Sequence, residues 1–408
     1  MVIVKNVLNP KLEREDFTFA NNDNLEIDGS NLLALPGLID PHVHFRVPGL
    51  EEKEDWRHAA KAAFKGGYTT VFDMPNTNPA TITYDRLQQK YEIINKQLTE
   101  INLPLKYKLW FGADKNNFQE IIKAKEARII GIKVFMGAST GDLLMDDLSS
   151  LHAIYALASA HNLMIALHAE DELIIQQNLA LYKDSTNYAD HSKIRSIEAA
   201  VTAIRLVIEL AKLYKVPSYI LHVSSQKEIE LIALAKSQNI PIYAETCPHY
   251  LFLDDSSYET LNGKAKMNPP LRNKNEQKYL WKALNDGVID TIASDHAPHT
   301  LEEKQQPLCK CPSGVPGIET TLPLMISAYL DKKISLNRIV ELLYSKAKEI
   351  FNLPTNDDLI FIDIKNYRKV NEQDLCTKTK WSPFAGLNLT GWPQYVYTCG
   401  RFIDLSKL

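Results

Sequence analysis

The chain's most constraining feature is an eightfold alternation of apolar runs and helical segments. The runs read as strands at Leu35–His44, Thr69–Met74, Lys106–Gly112, Ile129–Met136, Leu163–His168, Ser218–Val223, Ile242–Thr246 and Thr291–Ser294. Between them the clearest helical patterns are Trp56–Lys65, Tyr84–Leu98, Asp147–His161, Ser196–Tyr214 and Gln226–Gln238. A parallel strand is buried on both faces and so reads as a continuous apolar run. Eight of them, each followed by a helix, predict an α/β fold, a (β/α)8 TIM-type barrel over 35–354.

The remainder reads differently. Residues 1–34 are short strands with turns at Asn21–Asn24 and Asp28-Gly29, and the tail after a helical stretch ending near Phe351 is again strand-like. The two ends, 1–34 and 355–408, are expected to join into one small β domain beside the barrel.

A barrel of this kind carries its chemistry at the C-terminal ends of its strands. His42 and His44 end the first run, and residues two apart on a strand point the same way, so both imidazoles can grip one metal. Lys133 lies in the fourth run, His168 ends the fifth, His222 the sixth and Asp295 the eighth. Each alone has a bland reading, since a histidine on an apolar strand is more often a satisfied core residue. Together they are hard to explain structurally, because each buried polar group would need its own partner.

Lys133 stands among Ile132, Val134 and Phe135, where burial favours the neutral, nucleophilic amine. Such an amine can add carbon dioxide, and the carbamate offers two oxygens to two metals. The alternative is an ammonium that reaches out of the barrel mouth. The mixed nitrogen and oxygen donors point to two Zn2+ ions, bridged by N6-carboxylated Lys133 and hydroxide. Asp295 then serves as metal ligand and as general acid/base, and the reaction is hydrolysis of an amide-like bond or its reverse.

Composition fits an ordinary globular enzyme: 45% apolar, 24% charged and a net charge of -4. Nothing in it calls for nucleic acid or a membrane surface. The most apolar stretch, Leu151 to Ala169, contains His152, His161, Asn162 and His168, which argues against a membrane span. The N-terminus lacks a secretory pattern. Five sparse cysteines fit reduced thiols in the cytoplasm, and Cys309-Lys-Cys311 reads as ordinary loop sequence.

Four stretches then carry a resemblance. They are Pro36-Gly-Leu-Ile-Asp-Pro-His42-Val-His44-Phe-Arg46-Val-Pro-Gly49, Asp73-Met-Pro-Asn76-Thr-Asn-Pro79, Asn268-Pro-Pro-Leu-Arg272 and Ala293-Ser-Asp295-His-Ala-Pro-His299-Thr. Together they resemble the signature of dihydroorotases in the cyclic amidohydrolase superfamily. Lys133-Val-Phe-Met-Gly-Ala-Ser-Thr-Gly141 is similar to the branch that uses a lysine bridge. The resemblance implies reversible cyclisation of N-carbamoyl-L-aspartate to L-dihydroorotate in pyrimidine synthesis, a binuclear zinc site on the six residues above, and a homodimer. For the small anionic substrate it implies contacts from Arg46, Asn76, Asn268 and His299, with His44 at the same mouth.

Arg46 can hold a carboxylate with a bidentate fork. Asn76 also suits a turn before Pro79. Val47 departs from the aspartate found there in many members. Ser313 and Gly314, in the long loop 300–317, are expected to line the pocket through backbone groups, and that loop reads as a lid. Ser139 and Thr140 either close over the substrate or form a plain turn. Other functions of the same fold are an allantoinase or hydantoinase, a mononuclear deaminase, or a non-catalytic scaffold that has lost its ligands.

Overall fold

A computed structural model describes residues 1–408 apart from 21–23 and 139–142. The turn expected at Asn21–Asn24 falls mostly outside the described residues, and Ser139 and Thr140 fall wholly outside them.

Eight parallel strands form the barrel wall: β1 (Leu38–Val43), β2 (Tyr68–Asp73), β3 (Lys106–Gly112), β4 (Gly131–Phe135), β5 (Ile165–His168), β6 (Ser218–Ile220), β7 (Ile242–Thr246) and β8 (Thr291–Ile292). They are hydrogen-bonded in chain order from β1 to β8. The seam between β8 and β1 is sparse. There the Ser294 N–H donates to Asp40 Oδ1 at 3.2 Å, and the His44 N–H to the His296 carbonyl at 2.8 Å.

A second sheet stands beside the barrel. Its order is Arg401–Asp404, Asn388–Thr398, Leu359–Lys369, Leu32–Pro36, Val2–Leu8, Arg14–Phe19, with Leu25–Asp28 also paired to Val2–Leu8. The run read as one strand over 35–44 is therefore two. Leu32–Pro36 pairs antiparallel with Leu359–Lys369, and Leu38–Val43 enters the barrel. Gly37 permits the crossing: a Cβ there would sit 2.5 Å from Thr69 Oγ1. The last barrel strand is also shorter than its sequence reading, ending at Ile292, and Asp295 beyond it takes a positive φ of 43°.

The helices start where side chains can cap them. Asp55 accepts the N–H groups of Arg57 and His58 at 3.0 Å each, opening Trp56–Lys65. Ser196 does the same for Ile197–Tyr214 by accepting the Ala199 N–H. The lower barrel lumen is packed with side chains. Trp110 and Tyr219 stack with centroids 6.5 Å apart, and Phe351 meets both edge-on. With that end filled, open space for chemistry lies at the other mouth.

One buried ion pair fixes the backbone there. Lys90 Nζ lies 2.5 Å from Asp73 Oδ2, with both side chains fully buried. Asp73 Oδ1 in turn accepts the Phe45 N–H at 2.7 Å, between His44 and Arg46. Lys90→Met strips the pair of its cation and leaves a buried carboxylate. It is expected to destabilise the fold by about 3–5 kcal/mol, read as a lower midpoint in denaturant titration.

Candidate metal centre and substrate pocket

The barrel brings the six expected ligands to one mouth. His42, His44, Lys133, His168, His222 and Asp295 line one pocket together with Arg46, Asn76, Asn268, Ser313 and Gly314. The enclosed space among them is about 30 Å³, room for about one water. A larger cavity of about 410 Å³ adjoins it, sharing Asn268 and Ser313.

The histidines form two pairs. His42 Nε2 faces His44 Nε2 at 3.2 Å, and His168 Nδ1 faces His222 Nε2 at 2.9 Å. Three of the four hold an acceptor on their other nitrogen. His42 Nδ1 reaches Glu245 Oε1 at 2.8 Å, His44 Nδ1 reaches Asn76 Oδ1 at 2.7 Å, and His168 Nε2 reaches Glu170 Oε2 at 2.8 Å. Those acceptors place the ring protons outward and turn bare lone pairs inward. Burial favours the neutral rings: it lowers His42 and His168 to about 4 and sends His44 and His222 well down. In the His42–His44 pair both outer nitrogens are so held, and its two inward lone pairs at 3.2 Å repel unless a cation stands between them. The donor set thus fits divalent metal. Asp295 Oδ1 completes the first pair, 3.3 Å from His42 Nε2 and 3.2 Å from His44 Nε2. Cys247 and His249 also offer atoms within ligand range of that carboxylate.

Lys133 is 1% exposed, with its amine 4.4 Å from the centre of the Phe135 ring. Burial lowers its pKa to about 7, against the pull of Asp295 and Glu245. An amine with that pKa is substantially neutral near pH 7, as addition to carbon dioxide requires.

Three residues of the mouth have strained backbone. Arg46, His222 and Asp295 have φ of 67°, 44° and 43°, in the left-handed region that non-glycine residues avoid. Each such residue stores roughly 1–3 kcal/mol, and the strain aims all three side chains into the mouth.

Of the expected substrate contacts, Arg46, Asn76, Asn268, Ser313 and Gly314 line the pocket, whereas His299 is fully buried behind Arg46 and outside that lining. Arg46 is 2% exposed; its Nε donates to the Pro298 carbonyl at 3.1 Å, and its Nη2 lies 3.1 Å from His299 Nε2. Burial lowers its pKa to about 10, which leaves it charged at neutral pH. His299 Nε2 also reaches the Ser313 carbonyl at 3.1 Å, and Lys53 Nζ lies 3.3 Å from Nδ1. Asn76 supports His44 through Oδ1. Asn268 is held by His191 Nε2 at 3.0 Å, so a histidine outside the expected site set orients a pocket residue. His296 faces away from the pocket, toward Glu54 at 3.3 Å and the Gly317 N–H.

Several supporting residues carry no flag in the sequence reading. Arg195 pairs with Glu170 at 2.6 Å, and the Tyr219 hydroxyl donates to Glu245 at 2.8 Å. Burial alone would raise the Glu170 carboxyl, yet Arg195 and His168 hold it well below the ordinary range. In Glu245 burial prevails and pushes the carboxyl up to about 8. Two signals were available: His168-Ala-Glu170 repeats the two-residue spacing of His42 and His44, and Glu245 is a charge in a buried strand, as Lys133 is.

The sequence model of the amidohydrolase family matches residues 33–354. The chain belongs to the amidohydrolase family. Its relatives within the family include dihydroorotases. That of Methanosphaera stadtmanae is 34% identical over 373 residues, covering 88% of this chain and 82% of the relative. That of Methanosarcina acetivorans is 32% identical over 409 residues, covering 95% and 85%. An amidohydrolase of solved structure, the L-hydantoinase (dihydropyrimidinase) from Arthrobacter aurescens, superposes with a TM-score of 0.91 at 28% identity, over 99% of this chain and 96% of that one. This amidohydrolase is an enzyme of the dihydroorotase group, and metal dependence goes with the family. Among the described residues no helix is long and apolar enough to cross a membrane.

Proposed function

We infer that the chain catalyses the reversible cyclisation of N-carbamoyl-L-aspartate to L-dihydroorotate. What carries this assignment to a substrate is one juxtaposition: Arg46 lines the same pocket as the six ligand-type side chains, with the buried His299 directly behind it at 3.1 Å. The substrate's spare carboxylate fits that pair, and a neutral ring leaves it unused.

His42, His44, His168, His222, Asp295 and a carboxylated Lys133 would hold two divalent ions, zinc for this donor set. When bound, such ions polarise the scissile carbonyl and make water acidic enough to attack at neutral pH. Arg46 grips the carboxylate with its guanidinium fork, and His299 holds it from the side. Asn268, Ser313 and Gly314 bound the ring and keep it from rotating away. In ring opening, the Asp295 carboxylate takes the proton of the attacking water and delivers it to the departing ring nitrogen. In ring closure it removes a proton from the ureido nitrogen and returns it to the leaving hydroxyl. The same reading takes a cytoplasmic setting and a homodimer.

Turnover of L-dihydroorotate, compared with allantoin and hydantoin, tests the assignment. Preference for either neutral ring would move the chain to the hydantoinase side of the family. Arg46→Lys, which loses the fork but keeps the charge, is expected to raise KM for dihydroorotate about tenfold to a hundredfold. Its kcat should fall far less, as initial-rate kinetics would show.

A further inference from the structure

The loop that follows β8 is tied down by two buried lysines. Lys304 is 2% exposed, and its Nζ donates to the carbonyls of Lys266 (2.9 Å), Pro312 (2.8 Å) and Gly314 (2.9 Å). Lys266 Nζ donates to the carbonyls of Leu308 at 2.8 Å and Cys311 at 2.5 Å, and the Gly314 N–H returns to the Lys266 carbonyl at 3.0 Å. No carboxylate pairs directly with Lys304 among the described residues; the bonds to it are from peptide oxygens. Burial draws its pKa down to about 7, a penalty that a surface lysine would not carry.

This clasp ends on the substrate pocket. Ser313 and Gly314 line the pocket, and Gly314 has a φ of 140°, where a Cβ would lie 2.5 Å from the Ala297 carbonyl. The Ser313 carbonyl meets His299 Nε2 at 3.1 Å. From the other side, the Trp381 indole N–H donates to the His299 carbonyl at 2.7 Å, and the Lys304 ammonium lies 5.9 Å from the Trp381 ring centre. Lys304 and Trp381 thus bracket His299 from two directions without entering the pocket.

We propose that Lys304, with Trp381, is a positioning residue that fixes Ser313, Gly314 and His299 as a preformed anion-holding wall, and so sets the affinity for a carboxylate-bearing ring. The proposal rests on the reading of Arg46 and His299 as the carboxylate holders. It also replaces a mobile lid over 304–314 with a wall already closed before substrate arrives.

The test is steady-state kinetics on dihydroorotate with Lys304→Met, which keeps the aliphatic stem and loses every N–H. KM is expected to rise about tenfold, with kcat within about threefold and metal content unchanged. Trp381→Phe keeps a ring under the lysine but loses the bond to His299, and is expected to raise KM in the same way by a smaller factor. A folded Lys304→Met enzyme with unaltered KM, or with reduced kcat at unaltered KM, overturns the proposal. If Lys304→Met does not fold, Trp381→Phe decides by the same criteria. Arg46→Lys in the same assay separates the premise from the inference. If it leaves KM unmoved, the carboxylate reading fails and the proposal falls with it; if it raises KM while the other two variants do not, the proposal alone fails.

Discussion

Replacing Lys133 by alanine is expected to lower kcat by roughly a thousandfold or more, about 4 kcal/mol of transition-state stabilisation, and to leave at most one divalent ion per chain. The side chain is 1% exposed in the middle of a strand whose neighbours are apolar, and burial holds its amine near pH 7. The four histidines supply only neutral nitrogens, and Asp295 supplies one carboxylate. Without a second anionic group the mouth lacks the negative charge to hold two divalent ions close together. Metal counted by plasma mass spectrometry, beside kcat, checks this. Short carboxylic acids should restore part of the rate, because they can stand where the carbamate stood. Full activity with two ions bound in the alanine variant would remove the bridging role.

Asp295→Asn is expected to lower kcat by roughly 10²–10⁴-fold with little change in KM. Asparagine keeps the shape and one ligating oxygen, 3.2–3.3 Å from the two histidine nitrogens in the parent chain. It cannot accept the proton released at the attacking water. On the proposed reading substrate affinity resides with Arg46 and His299, which the change leaves in place. Single-turnover rates in both directions are the measurement, since one carboxylate serves ring opening and ring closure and both must fall together. A loss confined to KM would move Asp295 from proton transfer to substrate binding.

The barrel was legible because its strands are apolar on both faces, and the candidate ligands because charged or imidazole groups interrupt those runs at their ends. His42, His44, His168 and Lys133 needed only local pattern. Local pattern could not show that Glu245, Tyr219 and Thr291 form a chain behind His42, where the Tyr219 hydroxyl lies 2.6 Å from Thr291 Oγ1. Nor could it show that Arg195 braces Glu170, since the partners lie far apart in sequence and meet only when the wall closes. One boundary slipped where a single residue bends the chain. Gly37 divides the run read as one strand. The loop 300–317 drew attention by length, but its order comes from lysines that look like surface residues in the sequence.

The sheet beside the barrel has a consequence for how the protein is made. Leu32–Pro36 meets Leu359–Lys369 only after every barrel strand has been translated, and the indole that braces His299 comes later still. A ribosome-bound chain therefore carries the candidate metal ligands before it has the indole that braces His299. On the proposal for Trp381, the tightest grip on a carboxylate is completed only after the barrel strands are made.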